Sequence, residues 1–318
     1  MPRLNMSIMI QTKDLTKRFG DFTAVDRVNL EVQAGEILAI LGPNGAGKTT
    51  TIRMLASILK PTSGKVIVSG YDSVTHSQEI RQLIGLLTEH HGLYTRMKAH
   101  DYLRFFGEAY GMNDHQIRTR AEMLLTRYGL GEAVDIRLGQ YSKGMRQKLA
   151  LVRALLHDPT VLLLDEPTSA MDPSSAHLVR NSIDDLRRSD RAIIVCTHNL
   201  FEAEALADRI AIIRRGQIIA MDSTESLKQR LLGNPVMELR VATELDGAVN
   251  AMPSDIRLLA RGERWLRYEV EDPNTTNPSV INAMIQAGIP IVTLAEVERS
   301  LEDLYLRVVE DGEGEIAG

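Results

Sequence analysis

Five residues carry the side chains for moving a phosphoryl group. Lys48 and Thr49 close the run GPNGAGKTT (Gly42, Pro43, Asn44, Gly45, Ala46, Gly47, Lys48, Thr49, Thr50), Asp165 and Glu166 end the run VLLLDE, and His198 follows AIIVCT. In a Gly-x-x-x-x-Gly-Lys-Thr loop the glycines let the backbone turn its N–H groups inward, and the helix behind adds its N-terminal donors, so the loop cradles phosphate. Lys48 would reach the β- and γ-phosphates, and Thr49 would ligate Mg²⁺. Asp165 would hold the shell of that ion, and Glu166 would polarise a water for in-line attack on the γ-phosphate. His198 is either a structural histidine or a further contact to the γ-phosphate. The loop alone says nucleotide binding and leaves its purpose open.

Those side chains need strands to place them. EILAIL, KVIVSG, TVLLLD, AIIVCT and RIAIIRRGQIIA are strand-like apolar runs alternating with helical stretches, which argues for an α/β domain over residues 8–232. VLLL is unbroken, as in a parallel strand covered on both faces. In a doubly wound sheet the carboxyl ends of such strands converge on the ligand. Over 86–158 the apolar period turns helical, which predicts a helical subdomain with Tyr102, Phe105, Phe106 and Tyr110 packing its core. Over 236–309 the pattern is β-α-β-β-α-β plus a helix, a small split-βαβ, ferredoxin-like α+β domain. Its hairpin turns at Arg261-Gly262-Glu263, one helix stops at Gly288, and Leu301, Leu304, Tyr305 and Val308 share a face of the last helix. Residues 310–318 are acidic and Gly-rich, the composition of a disordered tail.

The chain has 318 residues, a net charge of −5 and 44% hydrophobic residues. The acidic balance argues against a general affinity for nucleic acid. Its single cysteine, Cys196, excludes an intrachain disulfide and fits a buried strand in a reducing compartment. No apolar run approaches membrane-spanning length and the first residues show no signal-peptide pattern, so a membrane role would come through a partner.

Taken in order, these motifs resemble the ATP-binding cassette of ABC transporters over residues 8–222. Phe19 in LTKRFGDFTAVD stands where that family has the aromatic that stacks on adenine. GPNGAGKT resembles Walker A, LLLDEPT Walker B, and Ser169 to Asp172 the D-loop. His198 matches the switch histidine. Glu89 in IGLLTEHHGLY stands where the family has a glutamine that couples Mg²⁺ and the attacking water to the transporter. Tyr141-Ser142-Lys143-Gly144-Met145 resembles the signature loop and keeps its serine and its second glycine. YSKGMRQKL, the acidic residue at 89 and SLEDLYLRVV are similar to the ATPases of the daunorubicin-resistance and sodium-efflux type.

The resemblance implies an ATPase on the cytoplasmic face of the cell membrane that drives export through separate transmembrane permease subunits. It also implies a head-to-tail dimer with a second copy. Each ATP would lie between Phe19, Lys48, Thr49, Asp165, Glu166 and His198 of one subunit and Ser142 and Gly144 of the other. Permease helices would dock near Glu89, Leu93 and Tyr94. The rival readings are a soluble ABC ATPase acting on nucleic acid or the ribosome, which would carry a long coiled-coil insertion or tandem cassettes, and an importer ATPase.

Overall fold

The computed structural model describes residues 7–88, 92–169, 171–227, 234–245, 252–253 and 256–297. Its contacts divide into two units, Met1–Thr224 and Glu225–Gly318.

The first unit opens with strands β1 (Ile8–Phe19), β2 (Phe22–Val28) and β3 (Glu31–Gln33), then β4 (Ile37–Leu41) and helix α1 (Lys48–Leu55). Strands β5 (Ser63–Val68) and β6 (Tyr71–Asp72), helix α2 (Ser77–Leu83) and strand β7 (Ile84–Leu87) follow. Three helices come next, α3 (Ala99–Ala109), α4 (Asp114–Arg127) and α5 (Lys143–Leu155). The unit closes with β8 (Val161–Asp165), α6 (Pro173–Asp184), β9 (Ala192–Thr197), α7 (Leu200–Leu206), β10 (Arg209–Arg214) and β11 (Gln217–Ser223).

Two sheets result. One is antiparallel, in the order β2-β1-β5-β6 with β3 also paired to β1. The other runs β11-β10-β4-β9-β8-β7, parallel throughout except for its β10–β11 hairpin. Every residue of β4, β8 and β9 is buried, as a strand covered on both faces requires. Period-2 alternation sorts their side chains. Ile37, Leu162, Leu164, Ile193 and Val195 enter the core shared with the helices. Leu38, Ile40, Leu163, Ile194 and Cys196 enter the core shared with the antiparallel sheet. Each buried Leu or Ile contributes about 1.5–3 kcal/mol, so these two cores fix the sheet that carries the site.

The helical stretch differs from expectation at its start. Leu86 and Leu87 extend β7 and pair in parallel with Leu163 and Leu164, because an apolar run beside β8 gains a ladder partner there. Helices follow from Ala99. Tyr102 and Phe106 pack in the core, whereas Phe105 is half exposed and meets Tyr94 edge-on at 5.7 Å. Tyr110 stacks on His157 at 3.7 Å.

His157 gives a pH prediction. Burial pushes its pKa from 6.5 down to about 4, so the native state keeps the ring neutral while the unfolded chain takes up a proton. That stability is present above pH 6.5 and is lost as pH falls toward 4. The loss is on the order of 3 kcal/mol. His157→Phe keeps the stacking and should flatten the pH dependence of urea unfolding in this window; an unchanged slope would exclude His157 as its source.

The second unit holds β12 (Val236–Val241), β13 (Arg257–Arg261), β14 (Trp265–Glu269), α8 (Pro273–Gln286) and β15 (Ile291–Glu296). Its antiparallel order, β13-β14-β12-β15, is that of a split βαβ sheet. Leu239, Leu266, Tyr268, Val280 and Met284 form its core, and the Tyr268 hydroxyl donates to Asn277 Oδ1 at 2.8 Å. Gly288 lies just past α8 at φ +72°, where the helix was expected to stop. The remaining expectations, the greater part of the first helix of the β-α-β-β-α-β pattern (246–251), the face of Leu301 to Val308, the tail 310–318 and Glu89, lie outside the described residues.

Candidate functional site

Register assembles the site. Leu41 at the end of β4 pairs with Thr197 at the end of β9, and Asp165 at the end of β8 pairs with Cys196. The carboxyl ends of three adjacent strands therefore finish at one level, where an open α/β sheet holds its ligand. The loop leaving β4 is pinned there, Gly42 N donating to Thr197 O at 3.3 Å. Gly47 adopts φ +107°, and a Cβ on it would stand 2.5 Å from the Ala24 carbonyl oxygen. Only glycine fits that turn into α1, whose first residues are Lys48 and Thr49.

The five chemical residues meet at this edge. Lys48 Nζ, nearly buried, donates to the Gly42 and Pro43 carbonyls at 2.6 and 3.2 Å and lies 3.5 Å from Glu166 Oε1. Thr49 Oγ1 donates to Asp165 Oδ2 at 2.7 Å. Glu166 Oε2 lies 2.9 Å from His198 Nδ1. Glu166 thus stands between a lysine and a histidine. Its backbone is left-handed, φ +52°, a strained state for a residue with a Cβ. A cavity of about 320 Å³ opens over Lys48, Thr49 and Glu166, lined also by Phe22, Ala24 and the rest of the loop from Pro43 to Thr50. Asp165 and His198 stand behind its lining, bonded to Thr49 and Glu166. A larger groove of about 910 Å³ lies among Thr12, Lys13, Lys65 and Arg209. It holds none of the phosphoryl-transfer residues, and its Thr12 hydroxyl and Arg209 guanidinium are bonded to Val28 O and Glu36, so the smaller cavity is the site.

Of the other residues singled out from the sequence, Phe19 stands beside this cavity rather than in its lining. It is exposed, with Lys17 Nζ 5.1 Å from its ring centre, and pairs across the hairpin with Phe22. Ser142 caps α5, its hydroxyl accepting from Met145 N at 3.2 Å. Neither Ser142 nor Gly144 lines the cavity. Cys196 is fully buried in β9, with its Sγ 4.0 Å from the Lys48 carbonyl oxygen, and burial raises its pKa well above the ordinary thiol value.

Four residues at the site escaped the sequence reading. Phe22 and Ala24 share one face of β2, so a period-2 reading of FTAV would have placed both over the loop. Gln147 is buried on α5 and donates to the carbonyls of Glu166 and Pro167, both at 3.0 Å. Glu202 is buried on α7 and accepts from Thr168 Oγ1 at 2.7 Å. Burial raises the Glu202 pKa against hydrogen bonds from Thr197 and Thr168 that lower it. Gln147 and Glu202 each carry a sequence signal, a polar residue in phase with a helix's apolar stripe.

The donor set suits a hard divalent cation: the Thr49 hydroxyl and the fully buried Asp165 carboxylate stand side by side above the glycine cradle. No cluster of three or more His, Cys, Asp or Glu residues suited to a metal occurs among the described residues. Beside those two donors, an ion here would leave positions for substrate phosphate and water.

A central parallel strand running through a glycine loop into a helix, with the Asp-Glu pair two strands away in the sheet, defines a P-loop nucleoside triphosphatase. Residues 25–169 match the family model described as "ABC transporter". The chain is 43% identical to the ABC transporter ATP-binding protein NatA of Bacillus subtilis (strain 168) over 69% of this chain and 91% of that one. It is 35% identical to the daunorubicin resistance ATP-binding protein DrrA3 of Streptomyces coeruleorubidus over 93% and 94% of the two chains. Among solved structures it resembles an ATP-binding cassette dimer in a post-hydrolysis state bound to ADP and Pi, with a TM-score of 0.63 and 26% identity over 68% of this chain and 98% of that one. The chain belongs to the ABC transporter family as an ATP-binding, ATP-hydrolysing subunit.

Proposed function

We propose that this chain is the ATPase subunit of an ABC exporter, working as a dimer at the cytoplasmic face of a membrane through separate permease subunits. The observation that carries the catalytic half is the convergence of Lys48, Thr49, Asp165, Glu166 and His198 on one cavity edge. Lys48 and the loop N–H groups bind the triphosphate. Glu166 takes a proton from the attacking water, and His198 orients the Glu166 carboxylate from the side away from Lys48. Thr49 and Asp165 hold Mg²⁺, which when bound neutralises phosphate charge. Phe22 lines the cavity, with Phe19 beside it for the base.

The exporter reading rests on full-length similarity to a resistance protein. No helix among the described residues is long and apolar enough to cross a membrane, which leaves the pathway to a partner. Tyr94, half exposed against Phe105, offers an aromatic edge for a permease helix.

Gly144 tests the dimer. A Cβ there would meet nothing within 4 Å in its own chain. A side chain at this position therefore costs its own fold little and obstructs only what approaches from outside. Gly144→Val should fold and bind ATP as a monomer, yet lose about a hundredfold or more in turnover, as a catalytic contact displaced by about 1 Å does. Wild-type turnover in Gly144→Val would remove the trans contact, and loss of ATP binding by the monomer would place the loop in its own site.

A further inference from the structure

The segment from Glu166 to Ser169 carries the hydrolytic carboxylate but belongs to no strand or helix, so its position depends on what it is bonded to. Glu166 N donates to Cys196 O at 2.8 Å, and Ser169 N to Glu166 O at 3.2 Å. The side-chain tethers come from two helices. Glu202 of α7 holds the Thr168 hydroxyl. Gln147 of α5 spends both N–H groups of its amide on the carbonyls of Glu166 and Pro167. Gln147 is 3% exposed, so water does not replace those bonds when they stretch, and each carbonyl left bare costs about 1–3 kcal/mol.

Helix α5 is the element whose first turn is the Ser142–Gly144 loop. Gln147 lies five residues past Ser142, less than two turns along the same rigid rod. Near the other end, Arg153 donates to the Tyr102 hydroxyl at 2.9 Å and to Leu86 O in β7 at 3.3 Å. A displacement of α5 by about 1 Å at its N-terminus would therefore break hydrogen-bond geometry at Glu166 and Pro167 before it disturbed anything in the glycine loop.

We propose that Gln147 is a positioning residue: it relays what the Ser142–Gly144 loop touches to the main chain of this subunit's own Glu166, and so couples the two ATP sites of a dimer. The inference rests on the dimer reading above. It adds that each site is set both by its own loop and by the nucleotide bound in the other. A strained φ at Glu166 is consistent with a carboxylate held in place by such a tether.

A double-mutant cycle on steady-state ATP hydrolysis tests it, with wild type, Ser142→Ala, Gln147→Met and the double variant, each also measured for ATP binding and for thermal unfolding. Gln147→Met keeps length and volume and removes both donors. Gln147→Asn, which withdraws the amide by one methylene, is carried through the same cycle, so the cycle closes even where Gln147→Met does not fold. The expected result is kcat about ten- to a hundredfold lower for either Gln147 variant, with KM for ATP within about threefold of wild type. The double variant should lose at least about fivefold less than the product of the single losses, since the two residues act in series. Wild-type kcat in a folded Gln147 variant, or losses that simply multiply, overturns the relay and leaves the dimer intact. Wild-type turnover in Ser142→Ala alone overturns the dimer reading itself.

Discussion

Glu166→Gln is expected to reduce steady-state ATP hydrolysis by about 10²- to 10⁴-fold, the range a positioned general base supplies, while ATP still binds. The substitution is close to isosteric and accepts the same left-handed backbone, φ +52°, as the native residue. An amide can still meet His198 Nδ1, now 2.9 Å from Oε2. What disappears is the capacity to take a proton from water. The negative charge 3.5 Å from Lys48 Nζ disappears with it, which frees the lysine for phosphate, so ATP affinity should hold or rise. With hydrolysis blocked and ATP retained, the dimer should persist, and size-exclusion chromatography with light scattering should show a two-subunit species with ATP and a monomer without. Undiminished turnover would remove Glu166 as the base. Turnover lost with no ATP-dependent dimer would keep the base and remove the ATP-driven association. His198→Ala should act in the same direction but more weakly, because that residue orients the carboxylate and does not replace it.

The parts of the site that the sequence announces are those made by local covalent order. GPNGAGKT between an apolar strand and a helix specifies its own geometry, since the glycine torsions, the helix N-terminus and Lys48 lie within one short loop. Asp165 and His198 were legible for a related reason: each directly follows a run of buried residues, and parallel strands end on the same side of the sheet. Their level, fixed by Leu41 against Thr197 and Asp165 against Cys196, follows from pairing that the sequence implies without stating.

What stayed hidden depends on contacts between distant residues. Gln147 reaches Glu166 across 19 positions, and Glu202 meets Thr168 across 34. Each reads in isolation as a polar residue on an apolar helix face, and only tertiary packing reveals what it is bonded to. The pairing of His198 with Glu166 is similar, because read alone Glu166 suggests a contact to water and His198 a contact to phosphate, while the geometry joins them. Phe22 was passed over for Phe19 because motif order favours one aromatic of the hairpin, whereas strand alternation aims the other into the cavity. In the second unit, two-residue alternation marks the buried face of β12 and β14, where Leu239, Leu266 and Tyr268 pack with Val280 and Met284 of α8, while the order of the strands comes from pairing between distant residues.

Lys48→Met should weaken ATP binding by at least about tenfold and turnover by about a hundredfold or more, because each charge-assisted hydrogen bond to phosphate is worth about 1.5–3 kcal/mol. Among the described residues lining the cavity, Lys48 is the one cation and Glu166 the one carboxylate. Removing the lysine leaves no cation in the cavity lining to offset the carboxylates of Glu166 and Asp165, which repel the substrate, so the effect exceeds the loss of a single contact. Fold stability should change much less. The native ammonium is 6% exposed, so its desolvation cost is relieved by the substitution at the same time as its bonds to the Gly42 and Pro43 carbonyls are lost, and the two terms oppose each other. Lys48→Arg should fail to restore function, since a planar guanidinium cannot occupy the place of a compact ammonium curled against the Gly42 carbonyl at 2.6 Å. Binding of a fluorescent ATP analogue and urea unfolding of the same samples separate these effects. Retained affinity in a folded Lys48→Met would assign phosphate recognition to the loop N–H groups alone, and parallel collapse of binding and stability would make Lys48 a structural residue of the loop.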